Sequence, residues 1–181
     1  MKTVAAVVGS VRPGSVNQQL ARAVARLAEG RLAFRFIRID DLPMYDDELW
    51  RDPPASVLRM KAEVEAADAV LFVTPEYNRS VPPLLKNAID WGSRPYGESS
   101  WAGKPTAVIG ASPGAIGTAA AQQHLKAVVA VVGGVLMGQP EVYFSAKPGL
   151  IDDSDSVTDG QTRAFLQGFV DAFAGFIGRT G

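Results

Sequence analysis

The sequence has 181 residues, of which 47% are hydrophobic and 20% charged, as in a single soluble globular domain. Lysine and arginine number 18 against 19 aspartates and glutamates, so the charge balance excludes a broad cationic surface for nucleic acid or an anionic membrane. With no cysteine and one histidine, the chain cannot form disulfides, thiolate nucleophiles, Cys-ligated metal centres or sites that need several imidazoles, and we predict no metal site.

In the first part of the chain, short apolar segments alternate with segments of helical periodicity. Val4–Val8 is a continuous apolar run that ends at Gly9. It is too short for a signal peptide or a membrane span, so we predict a buried strand in a cytoplasmic protein. A helix at Asn17–Glu29 and a half-exposed strand at Leu32–Ile39 follow, and the polar stretch Asp40–Pro54 shows no clear periodicity.

The same alternation continues to the end of the chain. Ser56 is the predicted N-cap of the next helix. Further strands are predicted at Ala69–Thr74, Thr106–Ile109 and Val135–Met137, and further helices at Pro83–Trp91, Thr118–Val132 and Gln161–Ile177. The last helix carries phenylalanines spaced three or four residues apart, which indicates a core or subunit interface: Phe165, Phe169, Phe173 and Phe176.

Five strands alternating with five helices predict an α/β fold in one domain, residues 1–181. The expected architecture is a doubly wound, five-stranded parallel sheet with strand order 2-1-3-4-5 and helices on both faces. In such sheets ligands bind at the carboxyl ends of the strands, so the loops that leave strands one, three and four are the candidate functional segments.

The loop after the first strand, Gly9–Asn17, contains several groups suited to an anion. It opens a helix, whose first N–H groups and partial positive charge attract phosphate. Ser10, Ser15 and Asn17 add short polar side chains, and Arg12 adds a guanidinium. The Walker A lysine and the dinucleotide pattern G-x-G-x-x-G are both missing, so a phosphate monoester fits better than a nucleoside triphosphate.

The loop after the third strand, Thr74–Pro83, is stiffened by three prolines and can present fixed main-chain groups to a planar ligand. Tyr77 offers an aromatic surface and Asn78 an amide that both donates and accepts. A rigid crossover without a ligand is an equally valid interpretation of each side chain alone. Glu76 is also a candidate general base.

The loop after the fourth strand, Gly110–Thr118, matches the nucleophile-elbow pattern G-x-S-x-G at Ser112. A hydrolase would also need an acid and then a histidine further along the chain, but His124 is the only histidine and no acid precedes it in this segment. The glycines instead favour backbone amides exposed to a flat ring. Together, the three loops predict a ligand with one phosphate and a planar polar ring, for which FMN is the leading candidate.

Three segments of the chain resemble the NAD(P)H-dependent FMN reductase family. They are GSVRPGSVN, TPEYNRSVPPLLKNAIDW and GASPGAIGT, in that order and spacing, and the similarity extends from about Thr3 to about Pro140. The resemblance implies a flavodoxin-like fold with tightly held FMN. It also implies ping-pong hydride transfer from NADPH or NADH to FMN N5, and on to quinones, ferric complexes, chromate or azo compounds, so that no protein side chain acts as a catalytic nucleophile.

The resemblance also assigns the cofactor-binding residues. Around the phosphate it places Ser10, Arg12, Ser15, Asn17 and Gln18. Against the isoalloxazine and ribityl chain it places Pro75, Glu76, Tyr77 and Asn78. At the polar edge of the ring it places Ser112, Pro113, Gly114 and Gly117.

Partners and alternatives follow from the same resemblance. Family members are homodimers or homotetramers, so we expect a homo-oligomer, with Arg94, Tyr45 and Glu141 as candidate substrate or interface residues. Trp50 and Trp101 are candidates for an acceptor pocket or a subunit contact, and His124 for a packed or interface imidazole. Two other functions stay open, namely an FMN reductase that releases reduced flavin to a partner and a flavodoxin-type electron carrier.

Overall fold

Buried parallel strands form the centre of the fold, at the positions of the apolar segments. The computed structural model describes residues 1–180, so Gly181, the last residue of the predicted domain, lies outside the described residues. The strands are β1 (Lys2–Val8), β2 (Leu32–Phe36), β3 (Ala69–Val73), β4 (Pro105–Ser112), β5 (Val135–Leu136) and β6 (Val142–Ser145). Every residue of β3 is buried, as expected for a central strand covered on both faces.

The sheet is parallel with the order β2-β1-β3-β4-β5, which confirms the predicted topology. The prediction of five strands missed β6, which pairs with the carboxyl half of β4 while β5 pairs with its amino half. Two short strands therefore share the fifth position of the sheet. Pro140 lies between them and has no N–H to donate to a continuous ladder.

Helices cover both faces of the sheet, as predicted. They are α1 (Val16–Leu27), α2 (Ala55–Glu65), α3 (Pro83–Gly92), α4 (Ala119–Val131) and α5 (Gly160–Thr180). Side chains of α1 and α5 form one hydrophobic core with the sheet, and side chains of α2, α3 and α4 form the other. Within residues 1–180 no helix is both long and apolar enough to cross a bilayer.

Three local predictions need correction. Ser56 is not a cap, because α2 begins at Ala55, the residue before it; the N-cap is Pro54, which makes no side-chain cap bond. The second strand ends at Phe36, its last paired residue, rather than at Ile39. The polar stretch before α2, for which no element was predicted, contains a 3-10 helix at Asp47–Arg51.

The phenylalanines of α5 contribute mainly to the core. Phe169 and Phe173 are fully buried, with stacked rings whose centroids are 5.9 Å apart. Phe176 is partly buried, whereas Phe165 remains exposed. The core interpretation is therefore confirmed for the middle of the stripe, which anchors α5 beneath the sheet.

Trp101 is a core residue, so its predicted place in an acceptor pocket or subunit contact was wrong. Its indole is buried before β4, where its N–H donates to the Ile89 carbonyl at 3.0 Å. Gly92 makes room for it, since a Cβ at that position would lie 2.5 Å from the indole ring. Trp50 packs edge-on against Trp91, with 5.5 Å between the ring centroids.

Candidate active site

The loops that leave β1, β3 and β4 meet around one cavity of about 130 Å³ at the carboxyl ends of the strands. Nine of the thirteen predicted cofactor-binding residues line it: Ser10, Arg12, Ser15, Asn17, Pro75, Glu76, Tyr77, Ser112 and Pro113. The sequence reasoning missed two lining residues, Val16 and Ala111, because neither has a polar side chain that would have marked it.

A larger cavity, about 480 Å³, lies beside the edge strand β2, between this strand, α1 and the Ser154–Asp155 segment. None of the three loops contributes to it. In open parallel sheets ligands bind where loops converge outside the carboxyl ends of the strands. We therefore take the smaller cavity as the candidate site.

The first loop presents hydrogen-bond donors that no group in the described part of the chain accepts from. Ser10 is only 5% exposed, yet its hydroxyl bonds to no other group among residues 1–180, and the same holds for the side chain of Arg12. Ser15 is the N-cap of α1 and accepts from the Gln18 N–H at 3.4 Å. The N–H groups of Val16 and the next residue, in the first turn, have no intrahelical acceptor. Such a set suits an anion.

Asn17 and Gln18 brace this loop. The amide of Asn17 donates to the Ala111 carbonyl and accepts from the Ala111 N–H, both at 2.9 Å, and so ties α1 to the end of β4. Gln18 donates to the Ser10 carbonyl at 2.9 Å and does not line the cavity. Their bonds place both side chains in the scaffold of the loop.

Loop two, after β3, contains a tight turn with an unusual backbone. Tyr77 and Ser80 exchange N–H···O bonds of 3.1 and 3.0 Å across the turn, and the two central residues, Asn78 and Arg79, have φ of 50° and 65°. Left-handed φ at two consecutive non-glycine residues is costly and is often found at functional sites. The Tyr77 N–H is consumed by this turn, whereas the N–H groups of Glu76 and Asn78 have no acceptor among residues 1–180.

Gly114 and Gly117, in the loop after β4 (loop three), do not line the cavity. Gly117 is buried with φ +58°, and a Cβ there would lie 2.3 Å from the Tyr143 backbone. Close packing on β6 therefore explains this glycine. Gly114 is exposed, and its carbonyl accepts from the Ser112 hydroxyl at 3.2 Å.

The nucleophile-elbow interpretation is wrong, because Ser112 and His124 are not hydrogen-bonded to each other. The Nδ1 of His124 lies 3.1 Å from the hydroxyl of Ser80, in loop two. Glu76 is not a free base either, since one carboxylate oxygen accepts from the Ala121 N–H at 3.1 Å and the other from Arg79 at 3.3 Å.

The three weakly predicted residues, Arg94, Tyr45 and Glu141, do not line the cavity. Tyr45 donates to Asp47 at 2.9 Å; burial, then this carboxylate, raises the pKa of its phenol, and Arg94 opposes the shift.

Glu141 lies beside the middle of α4, bonded to Lys126 and, at 3.1 Å, to Gln123. The bond from Lys126, followed by one from Tyr143, lowers the pKa of Glu141.

The residues of the cavity fit FMN. The donors that a phosphate monoester needs are the Ser10 hydroxyl, the Arg12 guanidinium and the first N–H groups of α1. Pro75–Tyr77 and Ser112–Pro113 form the rest of the lining and add backbone and aromatic surface suited to a flat ring.

Comparison with known proteins points the same way. The model of the family described as NADPH-dependent FMN reductase matches residues 2–149. A 2-hydroxy-1,4-benzoquinone reductase of Burkholderia sp is 48% identical over 174 residues, covering 96% of this chain and 95% of that protein. A quinone reductase of Pseudomonas putida strain KT2440 is 48% identical over 176 residues, covering 97% and 94%. Among solved structures, FerB, a flavoenzyme NAD(P)H:(acceptor) oxidoreductase from Paracoccus denitrificans, is 54% identical, with a TM-score of 0.98 and full coverage of both chains.

Proposed function

This chain belongs to the NADPH-dependent FMN reductase family and is an FMN-dependent NAD(P)H:acceptor oxidoreductase, and we propose that its acceptors are quinones. The observation that carries the proposal is the convergence of three ligand-type loops on one cavity, with hydrogen-bond donors that the fold leaves free. Quinone reduction is the activity named for two relatives that are 48% identical and cover nearly the whole chain.

We assign the chain's residues to binding and positioning. Ser10, Arg12 and the first turn of α1 hold the phosphate, while Asn17 fixes the distance between this loop and the end of β4. The free N–H groups of Glu76 and Asn78 are the candidate donors to the polar edge of the ring. Bound FMN would supply the redox chemistry between reduced nicotinamide and the acceptor, so the protein needs no nucleophile of its own.

Anaerobic titration of the purified protein with NADPH and with NADH tests this function. We expect the yellow flavin to bleach and a quinone to restore the colour, and a panel that adds ferric citrate, chromate and an azo dye ranks the other predicted acceptors. A colourless protein whose addition leaves FMN fluorescence unchanged would contradict the proposal.

The same preparation separates the two alternatives. An enzyme that releases reduced flavin loses its colour on gel filtration, whereas a tightly held cofactor elutes with the protein. A flavodoxin-type carrier keeps its flavin but is not bleached by NADPH or NADH.

The finer predictions on assembly and location belong to this proposal. A homodimer or homotetramer is supported by apolar side chains exposed on and near α4, where Val131 is 87% exposed and Ile116 also faces outward. Light scattering after gel filtration would measure the mass.

A single FMN-binding domain acting on NAD(P)H also fits the cytoplasm, where this donor is produced, and fractionation tests that location.

A further inference from the structure

Helix α4 begins without a cap of its own. Thr118, the residue before it, has φ +70° and makes no side-chain cap bond. Its hydroxyl instead meets the amide of Gln122 at 3.0 Å, inside the protein. Unpaired N–H groups at a helix start are normally satisfied by the preceding Ser, Thr, Asp or Asn. At α4 the cap must come from another segment.

Glu76 supplies it from loop two. One oxygen of its carboxylate accepts from the Ala121 N–H at 3.1 Å, in the first turn of α4. A negative charge at a helix N-terminus is favourable, and the carboxylate is well shielded, with 11% of the side chain exposed. The second oxygen accepts from Arg79 at 3.3 Å, so Glu76 joins the turn to the helix.

A second contact lies one helical turn further along α4, where His124 meets the hydroxyl of Ser80 at 3.1 Å. The turn between the two contacts carries left-handed φ at Asn78 and Arg79 and has exposed side chains. Such a turn persists only when its surroundings hold it in place. Glu76 and Ser80 mark its two ends, and both are tied to α4.

We propose that Glu76 is a positioning residue: by capping α4 it clamps the Tyr77–Ser80 turn at the edge of the cavity. Since both carboxylate oxygens are engaged, Glu76 serves the site through this clamp and not as a proton acceptor. The effect on the ligand rests on the proposed function, whereas the clamp itself does not, and the two can be measured separately.

Limited trypsin digestion of the purified full-length protein, with and without added FMN, measures the clamp directly. The exposed Arg79 is a tryptic site inside the turn, and cleavage reports how often the turn opens. Loss of a cap should raise cleavage after Arg79 by about tenfold in Glu76→Ala. Glu76→Gln keeps an oxygen for the Ala121 N–H, so its rate should stay within about threefold of wild type.

Two internal references complete the digestion experiment. Glu63→Ala removes a comparable carboxylate, paired with Arg59 on α2, and should leave cleavage after Arg79 unchanged. Arg51, an exposed residue of the 3-10 helix before α2, should be cut at the same rate in all variants. Wild-type cleavage after Arg79 in Glu76→Ala would overturn the proposal. So would equal increases after Arg79 and Arg51, because these would show a general loss of stability.

Quenching of FMN fluorescence then measures how the loss of the clamp changes FMN affinity. We expect FMN affinity to fall by about three- to tenfold in Glu76→Ala and to recover in Glu76→Gln, as a cap-dependent position requires. An affinity equal to wild type in Glu76→Ala would show that the clamp does not serve the cofactor. If the wild-type protein itself fails to bind FMN, the proposed function fails, while the digestion result still decides the clamp.

Discussion

Loops between strands and helices lie at both ends of the parallel strands, which form an amino-end edge and a carboxyl-end edge of the sheet. The polar groups at these two edges have different roles. At the amino-end edge, buried Lys61 donates to the Ser100 hydroxyl at 2.8 Å and to the Glu98 carbonyl at 3.0 Å, and burial lowers its pKa. At the carboxyl-end edge, Ser10 and Arg12 line a cavity and have no partner among residues 1–180. One edge is satisfied within the fold, and the other keeps donors for a ligand.

This contrast suggests that the two edges can be altered independently. Substitutions at the amino-end edge should lower the free energy of unfolding and leave flavin affinity unchanged. Substitutions in the ligand loops should lower flavin affinity and leave the free energy of unfolding unchanged. A residue that supports both the stability of the fold and the binding of the ligand would be an exception to this contrast, and Asn17 is the clearest example.

The largest expected effect is at Trp101. Trp101→Ala removes a fully buried indole that packs on Phe72 and Gly92, and should lower the free energy of unfolding by about 3–5 kcal/mol. Urea denaturation of the FMN-free protein measures this loss. Trp50→Ala is the matched control, since Trp50 is only half-buried and its removal should cost less. A larger loss for Trp50→Ala would contradict the assignment of Trp101 to the core.

Asn17→Ala should lower both the free energy of unfolding and the affinity for FMN. The substitution leaves the buried N–H and carbonyl of Ala111 without partners, and should cost about 2–4 kcal/mol of unfolding free energy. Because Asn17 joins two loops of the cavity, FMN affinity should fall in the same variant. Denaturation and fluorescence titration on one preparation check both effects, and a loss of affinity with unchanged stability would contradict a bracing role.

These two residues also show what the sequence could and could not predict. The strand order and the three ligand loops follow from local patterns, namely apolar runs, proline-stiffened turns and a polar loop that opens a helix. The side-chain partners depend on contacts between distant segments. Nothing local in the sequence shows that Asn17 meets Ala111, that Trp101 fills the space beside Gly92, or that Glu76 caps a helix 43 residues further on, at Ala119.

Arg12→Ala should weaken FMN binding without lowering the stability of the FMN-free protein. Its guanidinium has no partner within residues 1–180, so the FMN-free variant should unfold like wild type, while FMN binding weakens by about 1.5–3 kcal/mol. Fluorescence titration measures the affinity. Arg51→Ala, which removes an exposed arginine outside the site, is the control and should bind FMN normally. Unchanged affinity in Arg12→Ala would exclude this side chain from the phosphate site.

The smallest effect concerns acid stability at the amino-end edge, where Asp68 accepts from the Thr3 N–H at 2.7 Å and from Lys2 at 3.0 Å. The backbone bond first, and Lys2 second, lower the pKa of Asp68 in the folded protein. Because the pKa is lower in the folded protein, the unfolded chain binds more protons in acid than the folded protein does. The contribution of Asp68 to stability is therefore present above the usual aspartate pKa of about 3.9 and is lost as the pH falls through the folded value.

Asp68→Asn isolates this contribution. Because the carboxylate is partly exposed and screened, the variant should be less stable than wild type by at most about 1 kcal/mol near neutral pH. The difference should shrink as the pH falls below about 4, since protonation makes the wild-type side chain neutral as well. Thermal unfolding at a series of pH values measures it, with Asp171→Asn, in an exposed pair with Arg31, as the control. A difference that grows in acid would reverse the sign of the linkage and rule out an ionised Asp68 as a stabilising group of this edge.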